Sequence, residues 1–250
     1  MQQCNNRTIE QLNPTSPVGL RGAGNKTIGH FIVIDGSDGA GKKTQSDLLI
    51  TRLKKDGHKI AAYDFPVYDS FFGKMIGRYL NGEFGQADEV DPYLVSVLYA
   101  GDRWQASQEI KNDLDAGKVV IANRYIQSNM AYQTAKFKTK AEKDKYLKWL
   151  SELEFQIYQI PKPDLVIYLY VPFRISQALV DKKAKRSYTN LVRDIHEKDA
   201  DFLSRVEKSY LMLAEKYPEW RKIDCVENGQ IMLIDEIAKK VYSLVKKELK

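Results

Sequence analysis

The chain has 250 residues, 43% hydrophobic and 29% charged, a balance that argues against disorder and against a fibrous repeat. A chain of this length buries roughly three-quarters of its unfolded surface, so its core needs neither disulfides nor a structural metal. Lys and Arg outnumber Asp and Glu by 39 to 33, and the net charge of +6 favours an anionic partner: a nucleotide, a nucleic acid or an acidic headgroup. Cys4 and Cys225 lie far apart and outside any Cys/His cluster, which excludes a zinc motif and fits a reducing cytoplasm. No apolar run reaches the roughly 18 residues of a membrane span, so no membrane partner is expected.

Residues 1–29 are rich in Asn, Gln, Gly and Thr and read as a flexible extension preceding a domain over 30–250. From His30 onward, short β-branched runs alternate with helix-period stretches, the pattern of an α/β protein with a mainly parallel sheet flanked by helices on both faces. Five strands are expected: His30 to Asp35, Lys59 to Asp64, Val119 to Asn123, Asp164 to Val171 and Arg221 to Cys225. Most are continuous apolar runs, as strands covered on both faces require. After Gly41, Leu48, Leu49, Arg52 and Leu53 repeat at helical spacing. Asp91-Pro92 opens a long helix that Gly117 closes. Phe173 to Tyr217 carries two helical patterns around a basic stretch, and no strand. A final helix gathers Ile231, Ile234, Ile237, Val241, Leu244 and Val245 on one face, with its lysines on the wet side rather than forming a nucleic-acid patch. The chain has no helix-turn-helix, zinc or RNA-binding signature, and no nucleic-acid partner is expected.

The most specific chemical signal is the apolar run Phe31 to Asp35 followed by Gly36-Ser37-Asp38-Gly39-Ala40-Gly41-Lys42-Lys43-Thr44. A strand entering a glycine-rich turn and then a helix turns successive N–H groups inward, adds the positive helix end and lets Lys42 reach the outer phosphates of ATP. The residue after the loop lysine usually supplies a hydroxyl to Mg²⁺. Here it is Lys43, with Thr44 one place later, so either phosphates, water and a carboxylate such as Asp35 hold the metal, or Lys43 shares the neutralisation. Phe65-Pro66 and Asn123-Arg124-Tyr125 follow strands at their carboxyl ends, where open α/β sheets bind ligands. Tyr99 and Arg103 share a helix face, and Tyr132-Gln133 adds a second ring and an amide.

Taken together, Asp-Gly-x-Asp-Gly-Ala-Gly-Lys, Phe65-Pro66 with Gly73-Lys74, Asp102-Arg103-Trp104, Asn123-Arg124-Tyr125-x-x-Ser128, Ala131-Tyr132-Gln133 and Pro161-Lys162-Pro163-Asp164-Leu165 resemble the thymidylate kinases from Ile28 to the C-terminus. The resemblance implies a P-loop nucleoside monophosphate kinase fold, usually a homodimer, that moves the ATP γ-phosphoryl group to dTMP with Mg²⁺. It implies that residues 36, 37 and 39–44 contact the donor, and that Asp38 takes the sugar 3′-hydroxyl. Arg103 and Arg124 would clamp the acceptor phosphate, and Tyr99 would stack on thymine. Tyr132 would crowd the 2′ position, Gln133 and Ser128 would line the nucleotide, and Phe65 and Pro66 would form the wall. The stretch Lys182, Lys183, Lys185 and Arg186 matches a lid over about 181–195. Because Gly39 stands where some members carry an arginine, Lys185 and Arg186 would join Lys42 and Arg124 as catalytic cations, with Lys182 at the donor. Two further departures from the pattern are Asn123, where an Asp is usual, and Tyr68, where an Arg is common. Both substitutions remove charge while keeping a hydrogen-bonding group. The alternatives are another nucleoside monophosphate kinase, or a nucleotide-binding regulator with weakened catalysis.

Overall fold

Apolar residues at both odd and even positions of the strands demand cover on two sides, and the chain supplies it. A computed structural model describes residues 29–180, 196 and 199–249. Strands β1 (His30–Asp35), β2 (Ile60–Asp64), β3 (Val119–Asn123), β4 (Leu165–Tyr170) and β5 (Trp220–Asp224) form one sheet in the order β2-β3-β1-β4-β5. Every pairing is parallel, with Ile34 opposite Asn123 on one side of β1 and opposite Ile167 on the other. All five expected strands are present, with ends moved by at most one residue. Because β1 lies between β3 and β4, the chain leaves it toward opposite edges, and a crevice opens at its carboxyl end.

The helices are α1 (Lys42–Lys55), α2 (Phe71–Leu80), α3 (Pro92–Asp115), α4 (Ile126–Thr134), α5 (Lys140–Ser151), α6 (Phe173–Val180), α7 (Ala200–Lys216) and α8 (Ile234–Glu248). Phe31, Val33, Val120, Ala122, Val166 and Tyr168 face a core built with α3, α4, α5 and α7. Their neighbours Ile32, Ile34, Ile121, Ile167 and Leu169 face the opposite core, closed by α1 and α8. The Asp91 carboxylate caps α3 through the N–H groups of Tyr93 and Leu94, at 2.8 and 3.2 Å, as the Asp-Pro start predicts. No helix among the described residues is long and apolar enough to cross a membrane.

The C-terminal face differs from expectation. Ile237, Val241 and Val245 are buried, whereas Ile231 and Ile234 are 40% and 56% exposed. Asn228 and Gly229, both at positive φ, fold a two-residue turn between short strands β6 (Val226–Glu227) and β7 (Gln230–Ile231), so Ile231 precedes the helix rather than joining it. Gly29, the last residue assigned to the extension, donates its N–H to the Leu114 carbonyl at 3.0 Å. The rest of that extension and the expected lid, with Lys182, Lys183, Lys185 and Arg186, lie outside the described residues.

Candidate active site

The apolar run of β1 ends on Asp35, which is fully buried, and the chain then curls back on itself before α1. Two glycines make the curl possible. A Cβ on Gly36 would stand 2.6 Å from the Leu169 carbonyl of β4, and one on Gly39 would stand 2.4 Å from the Ser176 carbonyl of α6; both also hold positive φ. Lys42 folds its buried ammonium over the loop, donating to the carbonyls of Gly36 at 3.0 Å and Ser37 at 2.8 Å, and lies 3.9 Å from Asp38. Ser37 Oγ is buried without a hydrogen-bond partner, a group that a bound phosphate would satisfy. Ala40 packs into the aliphatic core, and Gly41 is the left-handed N-cap of α1. Lys43 and Thr44 are exposed. The Lys43 ammonium donates to Asp47 at 2.7 Å, and that bond, against the opposing effect of burial, raises its pKa above the ordinary lysine value.

Asp35, one of the groups the sequence offers to a metal, is also bound to the framework of the site. Its carboxylate accepts from the Gly36 N–H at 2.7 Å, from Ser128 Oγ at 2.8 and 3.0 Å and from the Tyr210 hydroxyl at 2.8 Å, with Arg124 3.9 Å away. All three donors converge on Oδ1, and only the Ser128 hydroxyl also approaches Oδ2. The carboxylate anchors the loop. No group of three or more His, Cys, Asp or Glu among the described residues could hold a metal ion.

The second half of the site grows from the turn after β3. Arg124 adopts a left-handed backbone, φ 63°, while its N–H donates to the Ile34 carbonyl at 3.0 Å, so the turn is pinned to β1. Its side chain therefore points at the phosphate loop: Nη2 donates to Asp38, and Nη1 donates to Ser128 Oγ at 2.9 Å. Burial works against the charge, but the pull of Asp38, with that of Asp35, holds the guanidinium charged. On α4 the Tyr132 hydroxyl donates to the other oxygen of Asp38 at 3.0 Å. Four residues that the sequence placed at the acceptor, Asp38, Arg124, Ser128 and Tyr132, thus meet in one hydrogen-bonded cluster. Gln133 is buried beside them with Oε1 unpaired. His196, held by burial to a pKa of about 3, is caged against Tyr79, Tyr132 and Phe202.

The remaining wall comes from α2 and α3. The Phe65–Pro66 peptide is cis, and the Phe65 ring is buried against Tyr125 at 5.6 Å. Asp102 accepts from the Val67 N–H and from Ser70 Oγ, both at 3.0 Å, and so ties this segment to α3. Tyr68 and Tyr99 lie against the small cluster of Ile76, Tyr79, Leu80, Ala87 and Val95. Arg103 departs from a freely offered phosphate clamp. It is 2% exposed, and both its Nε, at 2.7 Å, and its Nη2 are taken by Glu154. At the edge of the site Asn123 donates its amide to the exposed Asp64 carboxylate at 2.7 Å, across the β2–β3 pairing, and its own Oδ1 is buried and unpartnered.

Asp64, Glu154 and Tyr210 are the site residues that sequence reasoning passed over. Glu154 continues the buried spacing of Leu147 and Leu150, and Tyr210 that of Leu203 and Val206, so each reads as core until its partner is known. Asp64 closes a strand beside Phe65-Pro66, a position that could have marked it.

The chain is similar to known proteins over most of its length. The family model described as thymidylate kinase matches residues 34–233. A probable thymidylate kinase of Thermococcus onnurineus is 34% identical over 225 residues, covering 88% of this chain and 98% of the relative. The thymidylate kinase of Mycobacterium tuberculosis is 33% identical over 186 residues, covering 74% and 85%. The solved structure of thymidylate kinase from Candida albicans superposes with a TM-score of 0.67 at 24% identity, covering 88% of this chain and 92% of that one, a likeness of fold.

Proposed function

The chain belongs to the thymidylate kinase family, and from that premise we propose how its residues perform the reaction: transfer of the ATP γ-phosphoryl group to dTMP, giving dTDP and ADP for dTTP synthesis. The observation that carries the reading is the shared carboxylate of Asp38. It sits on the phosphate loop yet is bound by both Arg124 and Tyr132, so donor and acceptor machinery meet at one side chain.

In this reading, dTMP enters by exchange. The sugar 3′-hydroxyl donates to Asp38 while the acceptor phosphate takes over the Arg124 guanidinium, so each partner of the internal ion pair receives a group of matching charge or polarity. Tyr132 fills the space beside the sugar, Tyr99 offers a ring to the base and the unpartnered Gln133 Oε1 is an acceptor for its edge. Lys42 leaves the loop carbonyls for the donor phosphates, together with the loop N–H groups and Ser37 Oγ. An oxygen of the acceptor phosphate attacks the γ-phosphorus, and the bond from that phosphorus to the β–γ bridging oxygen breaks. The electron pair stays on ADP, and no protein nucleophile is required. Positioning and charge do the catalysis, with Lys42 and Arg124 joined by the lid cations Lys185 and Arg186.

Mg²⁺, when bound with ATP, neutralises charge on the phosphate oxygens. The residues fit a metal that would be held largely by phosphates and water: the nearest exposed carboxylate is that of Asp64, which accepts from the Asn123 amide at the edge of the site. Phe71, Leu94, Trp104 and Ile157, 52–71% exposed on α2, α3 and the segment after α5, are apolar groups that a homodimer contact would cover. The buried free thiol of Cys225 suits a reducing cytoplasm.

A coupled ADP-release assay with dTMP, dUMP, dCMP, dGMP and UMP tests the function. Preferential turnover of dTMP is expected; equal turnover of all five, or none with dTMP, overturns it.

A further inference from the structure

Glu154 is fully buried and has no place in the chemistry above. It lies where α5 runs on into a π-helical turn, Glu152–Ile157, with the Tyr158 N–H donating to the Leu153 carbonyl at 2.8 Å. Such wide turns rotate a side chain out of its α-helical register and recur at functional sites. Here the side chain faces Arg103 on α3 and binds it through both oxygens, Oε2 to Nε at 2.7 Å and Oε1 to Nη2. Arg103 uses its third nitrogen differently: Nη1 donates to the Tyr125 carbonyl at 3.4 Å, and the guanidinium lies 5.9 Å from the centre of the Tyr125 ring. Tyr125 directly follows Arg124, whose left-handed backbone aims the phosphate clamp. Glu154, Arg103 and the Tyr125 carbonyl therefore form a chain of contacts from a distant helix to the acceptor turn.

A buried ion pair is a poor device for stability alone, because desolvating two charges offsets most of their attraction. A two-point grip on a planar guanidinium is, however, an effective way to set its orientation. We propose that Glu154 is a positioning residue of the acceptor site, fixing the Arg103 guanidinium and, through the Tyr125 carbonyl, the placement of Arg124. This rests on the reading of Arg103 and Arg124 as acceptor-site residues. A merely structural pair would stabilise the α3–α5 packing and leave substrate affinity alone.

The test is steady-state kinetics on the full chain with thermal melting recorded alongside. E154Q keeps the shape but loses the charge, and E154D keeps the charge, so the protein stays folded, but is too short to hold the same geometry. Each is expected to raise KM for dTMP about tenfold, with KM for ATP and kcat changed by less than about threefold. In an R103M background, adding E154Q should leave KM for dTMP where R103M put it, since the residue acts through Arg103. An unchanged KM for dTMP in E154D overturns the proposal, whatever happens to the melting temperature. If R103M raises that KM and the Glu154 variants do not, only the positioning role falls. If R103M also leaves it unchanged, the acceptor-site reading falls with it.

Discussion

The two faces of the sheet are built from different chemistry. The face under α1 and α8 is aliphatic: Ile32, Ile34, Leu49, Leu53, Ile167, Leu169, Ile237, Val241 and Val245. The face under α3, α4, α5 and α7 is aromatic, with Phe31, Tyr125, Tyr132, Tyr146, Tyr168, Phe202, Tyr210 and Trp220. Both exclude water, but a tyrosine also delivers a hydroxyl into the interior. Tyr210, stacked on Tyr168 at 4.9 Å, donates to Asp35; Tyr132 donates to Asp38; and Tyr146 shares a 2.8 Å hydrogen bond with Ser96. Burial holds the Tyr146, Tyr168 and Tyr210 hydroxyls above the usual phenol range, so they remain protonated. The aromatic core supports the site from beneath. The aliphatic core holds the sheet together and seats the glycine-rich loop through Ala40, without sending a polar group into the site.

The contrast can be broken at its sharpest point first. Arg124→Ala removes the clamp that the aromatic face presents and should lower kcat/KM for dTMP about a thousandfold; initial rates over a dTMP series check it, and a loss below tenfold would remove Arg124 from the chemistry. Leu53→Ala opens a cavity in the aliphatic core. It should cost about 3 kcal/mol in urea unfolding while leaving KM for dTMP and ATP within about twofold. Tyr210→Phe keeps the ring and deletes one hydroxyl, so Asp35 loses a donor. The expected cost is about 1–2 kcal/mol in the same unfolding experiment, accompanied by a fall in kcat/KM of about tenfold. If Tyr210→Phe behaved like Leu53→Ala, losing stability with full activity, the two faces would be functionally equivalent.

The smallest effect concerns pH. Burial lowers the Lys136 pKa from 10.5 to about 8, with its ammonium 3.1 Å from the Val90 carbonyl and 3.4 Å from the Tyr79 hydroxyl. Between those two values the unfolded chain binds the proton that the folded protein has released, so this group makes stability rise with pH across that window. Below about pH 8 it contributes a constant penalty. Lys136→Met should flatten the rise, which urea midpoints at pH 7.5, 9 and 10.5 would show; parallel slopes for the two proteins would rule out the cause.

Much of the site was legible because it is local. The phosphate loop declares itself by glycine spacing between a strand and a helix, and the Asn123-Arg124-Tyr125 turn by its place after an apolar run. What stayed hidden involves partners far apart in the chain. Asp35 looked like a metal ligand because a carboxylate at the end of β1 stands next to the phosphates. The hydroxyls that donate to it, from Ser128 and Tyr210, lie 93 and 175 residues away. Arg103 looked free to bind phosphate because the carboxylate that grips it is not in its own segment. Glu154 lies 51 residues downstream, on the buried phase of a helix that reads as core. The β6–β7 hairpin was missed for a different reason: Asn228-Gly229 is a hairpin signal, but its strands are only two residues long and show no alternation.

By itself, then, the sequence determined the order of strands and helices, the two-sided burial of the sheet and the glycine-rich loop between β1 and α1. Each follows from backbone sterics and hydrophobic periodicity within about a dozen residues. Tertiary structure decided which charges are available and which are already spent. A carboxylate or guanidinium has the same formula whether it is free or buried against a partner, and only the folded neighbourhood sets its lone pairs, its orientation and its charge. Asp38 and Arg124 are left holding each other at the mouth of the site, while Asp35 and Arg103 are bound into the framework behind them.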